Sequence, residues 1–119
     1  MITEDYVNFE TAKLLKEKGF DELTPLSYSL PYGYESRITC RNSNDTDFVS
    51  RITLQMAMKW LREVHKIHIV IYPYGDYSCD NYQFDVYKDN NLVVSKDDGY
   101  ITYEQAAEAA IKYCLENLI

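Results

Sequence analysis

Residues 54–72 read LQMAMKWLREVHKIHIVIY, and the hydrophobic period changes inside them. From Leu54 to about Lys66, at about 100° per residue, Leu54, Met56, Ala57, Met58, Trp60, Leu61 and Val64 spread over a wide arc of a helix. Gln55, Lys59, Arg62, Glu63 and Lys66 share the narrow remainder, and Thr53 or Ser50 stands where an N-cap is needed. A stripe facing one sheet needs little more than about 100°. This helix is therefore expected to be covered twice, by a sheet and by the N-terminal region, with Met56 and Trp60 on the second contact. From Ile67 to Tyr72 every residue except His68 is apolar, the pattern of a strand in the middle of a sheet, and Pro73, Gly75 and Asp76 end it. A helix running straight into a buried strand points to an α+β fold.

Working outward, Tyr82, Phe84 and Val86 alternate with Gln83 and Asp85 in a further strand. Asp89-Asn90-Asn91 supplies turn chemistry, Leu92 to Ser95 returns as the next strand, and Lys96 to Gly99 reads as another turn. The last helix opens on Thr102-x-x-Gln105, a capping-box spacing, with Ile101 placed to staple Ala106. Its apolar face holds Tyr103, Ala107, Ala110, Ile111, Cys114 and Leu118, and the alanines allow a close approach to the sheet.

Toward the N-terminus, Glu4 to Lys18 reads as a helix capped by Thr3, with acids early and lysines late, in agreement with the helix dipole. Gly19 followed by Phe20 predicts a Schellman stop with Phe20 packed on Leu15. Leu26, Tyr28 and Leu30, then Tyr34, Ile38 and Cys40, alternate on either side of Pro31-Tyr32-Gly33 and predict a hairpin. Asn42 to Asp47 is wholly polar and reads as an exposed loop. The expectation is one α+β domain over residues 1–119, a small, mostly antiparallel sheet packed by amphipathic helices in the order α-β-β-α-β-β-β-α.

With 119 residues, 46% hydrophobic and 26% charged, the chain has room for one core and the composition of a globular protein. No apolar run is long enough for a membrane span, and Met1 to Glu10 lacks the pattern of a signal peptide, so a cytoplasmic setting without membrane attachment is expected. Cys40, Cys79 and Cys114 form no CxxC pair and read as free thiols. The net charge of −7 is spread over both halves, six basic against nine acidic residues to Ile52 and six against ten beyond it. Such a balance disfavours nucleic acid as a partner, because that affinity rests on cations meeting phosphates. Arg37 with Arg41 is the one candidate for a locally basic strip.

Ile2-Thr3-Glu4-Asp5-Tyr6-Val7 with Ala12 to Phe20, Thr53 to His65, and the ending Ala106 to Ile119 resemble a family of small proteins from gut Bacteroides and their prophages. These stretches cover about a third of the chain, and Tyr72 to Ser95 gives no match. The resemblance implies a bacterial or mobile-element setting and carries no assigned activity and no catalytic residues. The order from Thr53 onward, helix, three strands, helix, is also similar to the double-stranded RNA-binding domain. There the last helix begins with lysines that meet phosphates. Here it begins with Glu104 and Glu108 and has no lysine before Lys112, so the resemblance is confined to the order of elements.

Candidate chemistry is sparse. Cys79 would need His65 or His68 beside it to act as a nucleophile, and both histidines read as packed residues of a helix and a strand. Asp76, Asp80 and Asp85 lack the order of an EF-hand and read as solvated loop acids. No metal site, no cofactor and no catalytic constellation is implied. The twelve tyrosines are the distinctive feature, with Tyr32 and Tyr34 at the first turn and Tyr74, Tyr77 and Tyr82 around the loop after the apolar strand. Tyrosine enriches recognition surfaces because it offers a large contact area for little ordering cost. The expectation is a non-enzymatic interaction protein that binds an unidentified protein partner through these tyrosines and its acidic surface. A narrower form is a phage-encoded decoy for a nucleic-acid-binding site. The alternative is a binder of a small, nucleotide-like ligand, with a homo-oligomer interface as one place for it, and a cysteine-dependent enzyme is the remote one.

Overall fold

Among the residues described by the computed structural model, 1–74 and 81–119, each helix begins where a side chain accepts a backbone N–H. Asn8 takes the N–H of Thr11 to open α1 (Phe9–Glu17), Thr53 that of Met56 to open α2 (Leu54–His65), and Thr102 that of Gln105 to open α3 (Tyr103–Asn117). Between α1 and α2 lie β1 (Ser27–Ser29), β2 (Glu35–Ser36) and β3 (Phe48–Ser50), an antiparallel sheet in the order β2-β1-β3. Between α2 and α3 lie β4 (Ile67–Tyr74), β5 (Asn81–Lys88) and β6 (Asn91–Tyr100), an antiparallel meander in that order. The α+β class and the order from Thr53 onward agree with the sequence reading, and β3 is an addition to it. Cys79, Tyr77, Asp76, Asp80 and Gly75 lie outside the described residues.

The first helix starts later than its sequence suggests. Met1 to Val7 stays extended because Val7 is fully buried and the backbone finds partners beside α2. Tyr6 bridges Thr53, the Val7 N–H donates to Ile52 O at 2.9 Å, and the Leu54 N–H donates to Asp5 O at 2.9 Å. Asn8 rather than Thr3 is then the first free cap. The stop is as read: Gly19 sits at φ 99°, its N–H meets Lys16 O and the Phe20 N–H meets Leu15 O, with Phe20 and Leu15 both buried. α1 rests on α3 and β3 rather than on the Met56/Trp60 flank of α2. It is Phe20, just past the helix, that reaches Trp60, ring centroids 5.7 Å apart.

The hairpin is shorter than its alternation suggests. Ser27 pairs with Ser36 and Tyr28 with Glu35, after which only an isolated bridge from Thr24 to Cys40 continues the pairing. At the turn Gly33 has φ 80°, and a Cβ there would stand 2.4 Å from the Phe9 ring, so this position needs glycine. The polar stretch after Cys40 is not wholly exposed. Asn42 is buried, donates through Nδ2 to Phe20 O at 2.8 Å and accepts the Ser50 N–H at 3.0 Å, tying the end of α1 to β3.

In the second sheet β4 is an edge rather than the centre. Ile67, Ile69 and Ile71 face the core with Phe84, Val86 and Val94, while His68 and Val70 lie exposed on the outer face. The apolar reading of both faces failed because the outer face is itself partly apolar. There the Tyr72 hydroxyl donates to Asp85 at 3.2 Å and the Ser95 hydroxyl also donates to Asp85, bracing all three strands. Lys96 to Gly99 is not a turn but part of β6. Tyr82 pairs with Tyr100 and Phe84 with Lys96, so residues 97–99 stand opposite Gln83 alone in a bulge, with Gly99 at φ 76°.

The buried face of α3, Ala106, Ala107, Ala110, Ile111, Cys114 and Leu115, meets β4 and β5 and also touches α1 and α2. Gln105 accepts the Ile101 N–H at 3.1 Å, but Ile101 stays 64% exposed and contributes little as a staple. Lys88 and Lys18 donate to Leu118 O at 2.7 Å and Ile119 O at 3.1 Å, cations at the negative end of the helix. α2 buries Leu54, Ala57, Met58 and Leu61, and leaves Met56 and Val64 exposed. One cluster of buried side chains spans both sheets and all three of these helices.

Truncating Asn42→Ala removes two buried hydrogen bonds and leaves the Phe20 carbonyl and Ser50 N–H unpaired. Equilibrium urea unfolding is expected to show a loss of about 2–3 kcal/mol, and a loss under about 0.5 kcal/mol would contradict the bridging role.

His65 packs edge-on against Trp60 at 4.7 Å, and burial, with the charge of Lys88, holds its pKa below the ordinary 6.5. A depressed histidine favours the neutral folded form. Its contribution is whole above the unfolded value and is lost as pH falls toward and through the folded one. His65→Leu should therefore narrow the difference in urea midpoint between about pH 7.5 and about pH 6; an unchanged difference in the variant would remove His65 as its source.

Candidate functional site

Arg51 follows β3 directly, and its backbone N–H donates to Leu26 O at 3.1 Å, which fixes where the side chain starts. The guanidinium carbon lies 4.3 Å from the centre of the Tyr6 ring and 5.6 Å from that of Tyr28, and Nη2 stands 3.6 Å from Glu35. Only 17% of the side chain is exposed, and the buried Nε–H has no hydrogen-bond partner among the described residues. A planar, weakly hydrated cation between aromatic rings is the arrangement in which arginine tolerates this degree of burial.

Around it opens a cleft of about 480 Å³ between the first sheet, the extended N-terminal segment and α3. Tyr6, Tyr28 and Leu54 form its apolar lining. Tyr28 is buried, and its hydroxyl donates to Val7 O in a short hydrogen bond. Burial pushes its pKa above the ordinary tyrosine value, and the negative charges of Glu35 and Glu108 add to the shift while Arg51 opposes it. Five carboxylates line the same cleft: Glu4, Asp5, Glu35, Glu104 and Glu108. All but Glu108 are exposed. Glu108 Oε1 accepts the Asn8 N–H at 2.8 Å, while its buried Oε2 has no hydrogen-bond partner among the described residues. With Arg51 held by Glu35, the field over the cleft is negative. It attracts cationic groups and repels phosphates and carboxylates.

A second hollow of about 610 Å³ shares Tyr6, Glu35 and Arg51 and adds Arg37. Arg41 lies elsewhere, 3.6 Å from Asp21, whose carboxyl is held below its usual range chiefly by the Ser43 N–H. The two arginines therefore do not form a strip. A smaller apolar groove of about 220 Å³ lies beside Met56, lined also by Phe20, Leu23 and Ile52.

The tyrosines singled out from the sequence are dispersed. Tyr32 and Tyr34 are exposed at the β1–β2 turn, ring centroids 6.0 Å apart. Tyr82 is half-buried in β5 with its ring edge-on to Tyr103 of α3 at 6.3 Å. Tyr74 ends β4, and Tyr77 lies outside the described residues. His68, read as packed, is exposed on the outer sheet face. Cys40 and Cys114 are free and buried, and burial raises both thiols, that of Cys114 to about 12. Among the described residues no three His, Cys, Asp or Glu side chains are grouped so as to hold a metal ion, and no helix is long and apolar enough to cross a membrane.

Sequence reasoning passed over Tyr6, Arg51 and Glu108 as a group. Glu104 and Glu108, one turn apart on the polar side of the last helix, were the visible signal. Nothing local announced that Arg51 and Tyr6 would come to face them.

Replacing Tyr28 by phenylalanine keeps the ring and deletes the bond to Val7 O. A stability loss of about 1–2 kcal/mol is expected in chemical denaturation; an unchanged midpoint would show that the hydroxyl does not anchor the N-terminal segment.

Scans against protein-family models, curated proteins and solved structures find no match to the chain.

Proposed function

We propose that this protein is a non-enzymatic interaction module whose acidic, tyrosine-lined cleft receives a cationic group presented by a basic protein partner. The observation that carries this reading is the gathering of Glu4, Asp5, Glu35, Glu104 and Glu108 around a cleft whose lone arginine is already committed to Glu35 and two tyrosine rings. A lysine or arginine side chain entering there exchanges water for carboxylates on one side and a tyrosine wall on the other. The net charge of −7 adds long-range attraction toward a basic surface. A decoy that occupies a nucleic-acid-binding site is the narrower form of the same idea, in keeping with the resemblance of Ile2–Val7, Ala12–Phe20, Thr53–His65 and Ala106–Ile119 to small proteins of gut Bacteroides and their prophages. A nucleotide-like ligand is less well supported, because the cleft's acids oppose its phosphates.

The test is a titration with a short arginine-rich peptide, followed through backbone amide NMR signals. At about 50 mM salt the shifts should concentrate at Tyr6, Asn8, Arg51 and Glu104, and the affinity should fall several-fold at about 300 mM. The double variant Asp5→Asn/Glu104→Gln, altering two exposed carboxylates, should weaken binding by roughly three- to tenfold. Shifts spread evenly over the surface, or an affinity indifferent to salt and to the variant, would overturn the proposal.

A further inference from the structure

The second sheet ends in two unlike edges. β6 carries Lys96 and Asp97 at a bulge, features that discourage pairing with another strand. β4 runs for eight residues as IHIVIYPY with no carboxylate and no lysine, and only Pro73, near its end, lacks a backbone N–H. Among the described residues β5 is the only strand that pairs with β4, so the outward row of its backbone groups faces no other strand. On the exposed face of this edge Val70 is 45% exposed. α2, which rests on β4, leaves Val64 57% exposed at its last turn.

We infer that β4 pairs with β4 of a second copy of this chain, antiparallel about a two-fold axis at Val70, so that two three-stranded sheets become one of six strands. The occupant follows from charge. Nineteen acidic residues make most approaches between copies repulsive, yet β4, Ile67–Tyr74, contains no carboxylate, lysine or arginine. This is the neutral stretch at which two acidic copies can meet. A basic partner has no electrostatic reason to choose it and is drawn to the cleft instead.

The register is self-complementary, as a two-fold interface requires. Centred on Val70, it sets Val70 against Val70 and His68 against Tyr72 on the outer face, and Ile69 against Ile71 on the core side. Branched and aromatic residues facing one another across strands are the pairs that stabilise a sheet. The Tyr72 and Ser95 hydroxyls already donate to the Asp85 carboxylate beside the edge, so that its lone pairs are engaged within the sheet.

Sedimentation equilibrium across loading concentrations from about 10 to about 500 µM, near physiological salt, tests this directly. A rise from the 14.0 kDa monomer toward twice that mass is expected. A monomer mass throughout would overturn the inference. Val70→Lys places two lysines across the axis while altering only a solvent-facing side chain, and should weaken the dimer at least about tenfold with an unchanged far-ultraviolet spectrum. Leu92→Lys, an exposed change at the start of β6, should leave dimerisation intact. A dimer insensitive to Val70→Lys, or broken by Leu92→Lys instead, would equally overturn the assignment to β4.

Discussion

The close approach of α3 to its surroundings is the constraint on which the structure depends. Ala106, Ala107 and Ala110 present almost no side-chain volume, so the helix axis can lie near β4 and β5 while its flanks touch α1 and α2. A larger residue at any of these positions would push the helix off a fully packed core, and close-packed interiors accommodate such changes poorly. Because α3 contacts elements from both halves of the chain, the two small sheets share one core.

The polar contacts around α3 follow from that placement. Lys18 from the first half and Lys88 from the second both reach the carbonyls at its C-terminal end. Glu108, on its outer flank, reaches the first N–H of the α1 cap. The cleft is the space left where α3, the extended N-terminal segment and the first sheet diverge. Its acidity arises because helix polar faces and strand termini, rather than buried positions, supply its rim.

Local chemistry in the sequence was a good guide wherever the deciding interactions were local. The Thr53 and Thr102 caps, the Gly19 stop, the turn at Asp89-Asn90 and the helix–strand succession after Leu54 all depend on residues within a few positions of one another. What was illegible depends on distant partners. The start of α1 moved because Val7 and Tyr6 find Ile52 and Thr53 forty-odd residues away, and Thr3 had no means of signalling that. β3 escaped notice because three residues are too few for a period to show. Asn42 looked like any loop asparagine until Phe20 and Ser50 were placed beside it. β4 read as central because hydrophobicity alone does not distinguish a strand covered by helices on one face from a strand covered on both. The site suffered most: its members come from the N-terminal segment, β1, β2, the link from β3 to α2, the start of α2 and α3, and no spacing in the sequence relates them.

Glu108 has two oxygens with different duties. One holds the backbone of Asn8 at the start of α1, and the other is buried at the wall of the cleft with no hydrogen-bond partner among the described residues. A cation that draws this carboxylate toward itself competes with Asn8 for the same group. Were a cation to enter as proposed, its binding and the Glu108–Asn8 bond would be coupled equilibria: the factor by which the cation weakens that bond is the factor by which breaking the bond changes cation affinity. A side chain that looks like a structural fastening would then also be the point at which the fold senses what is bound to it.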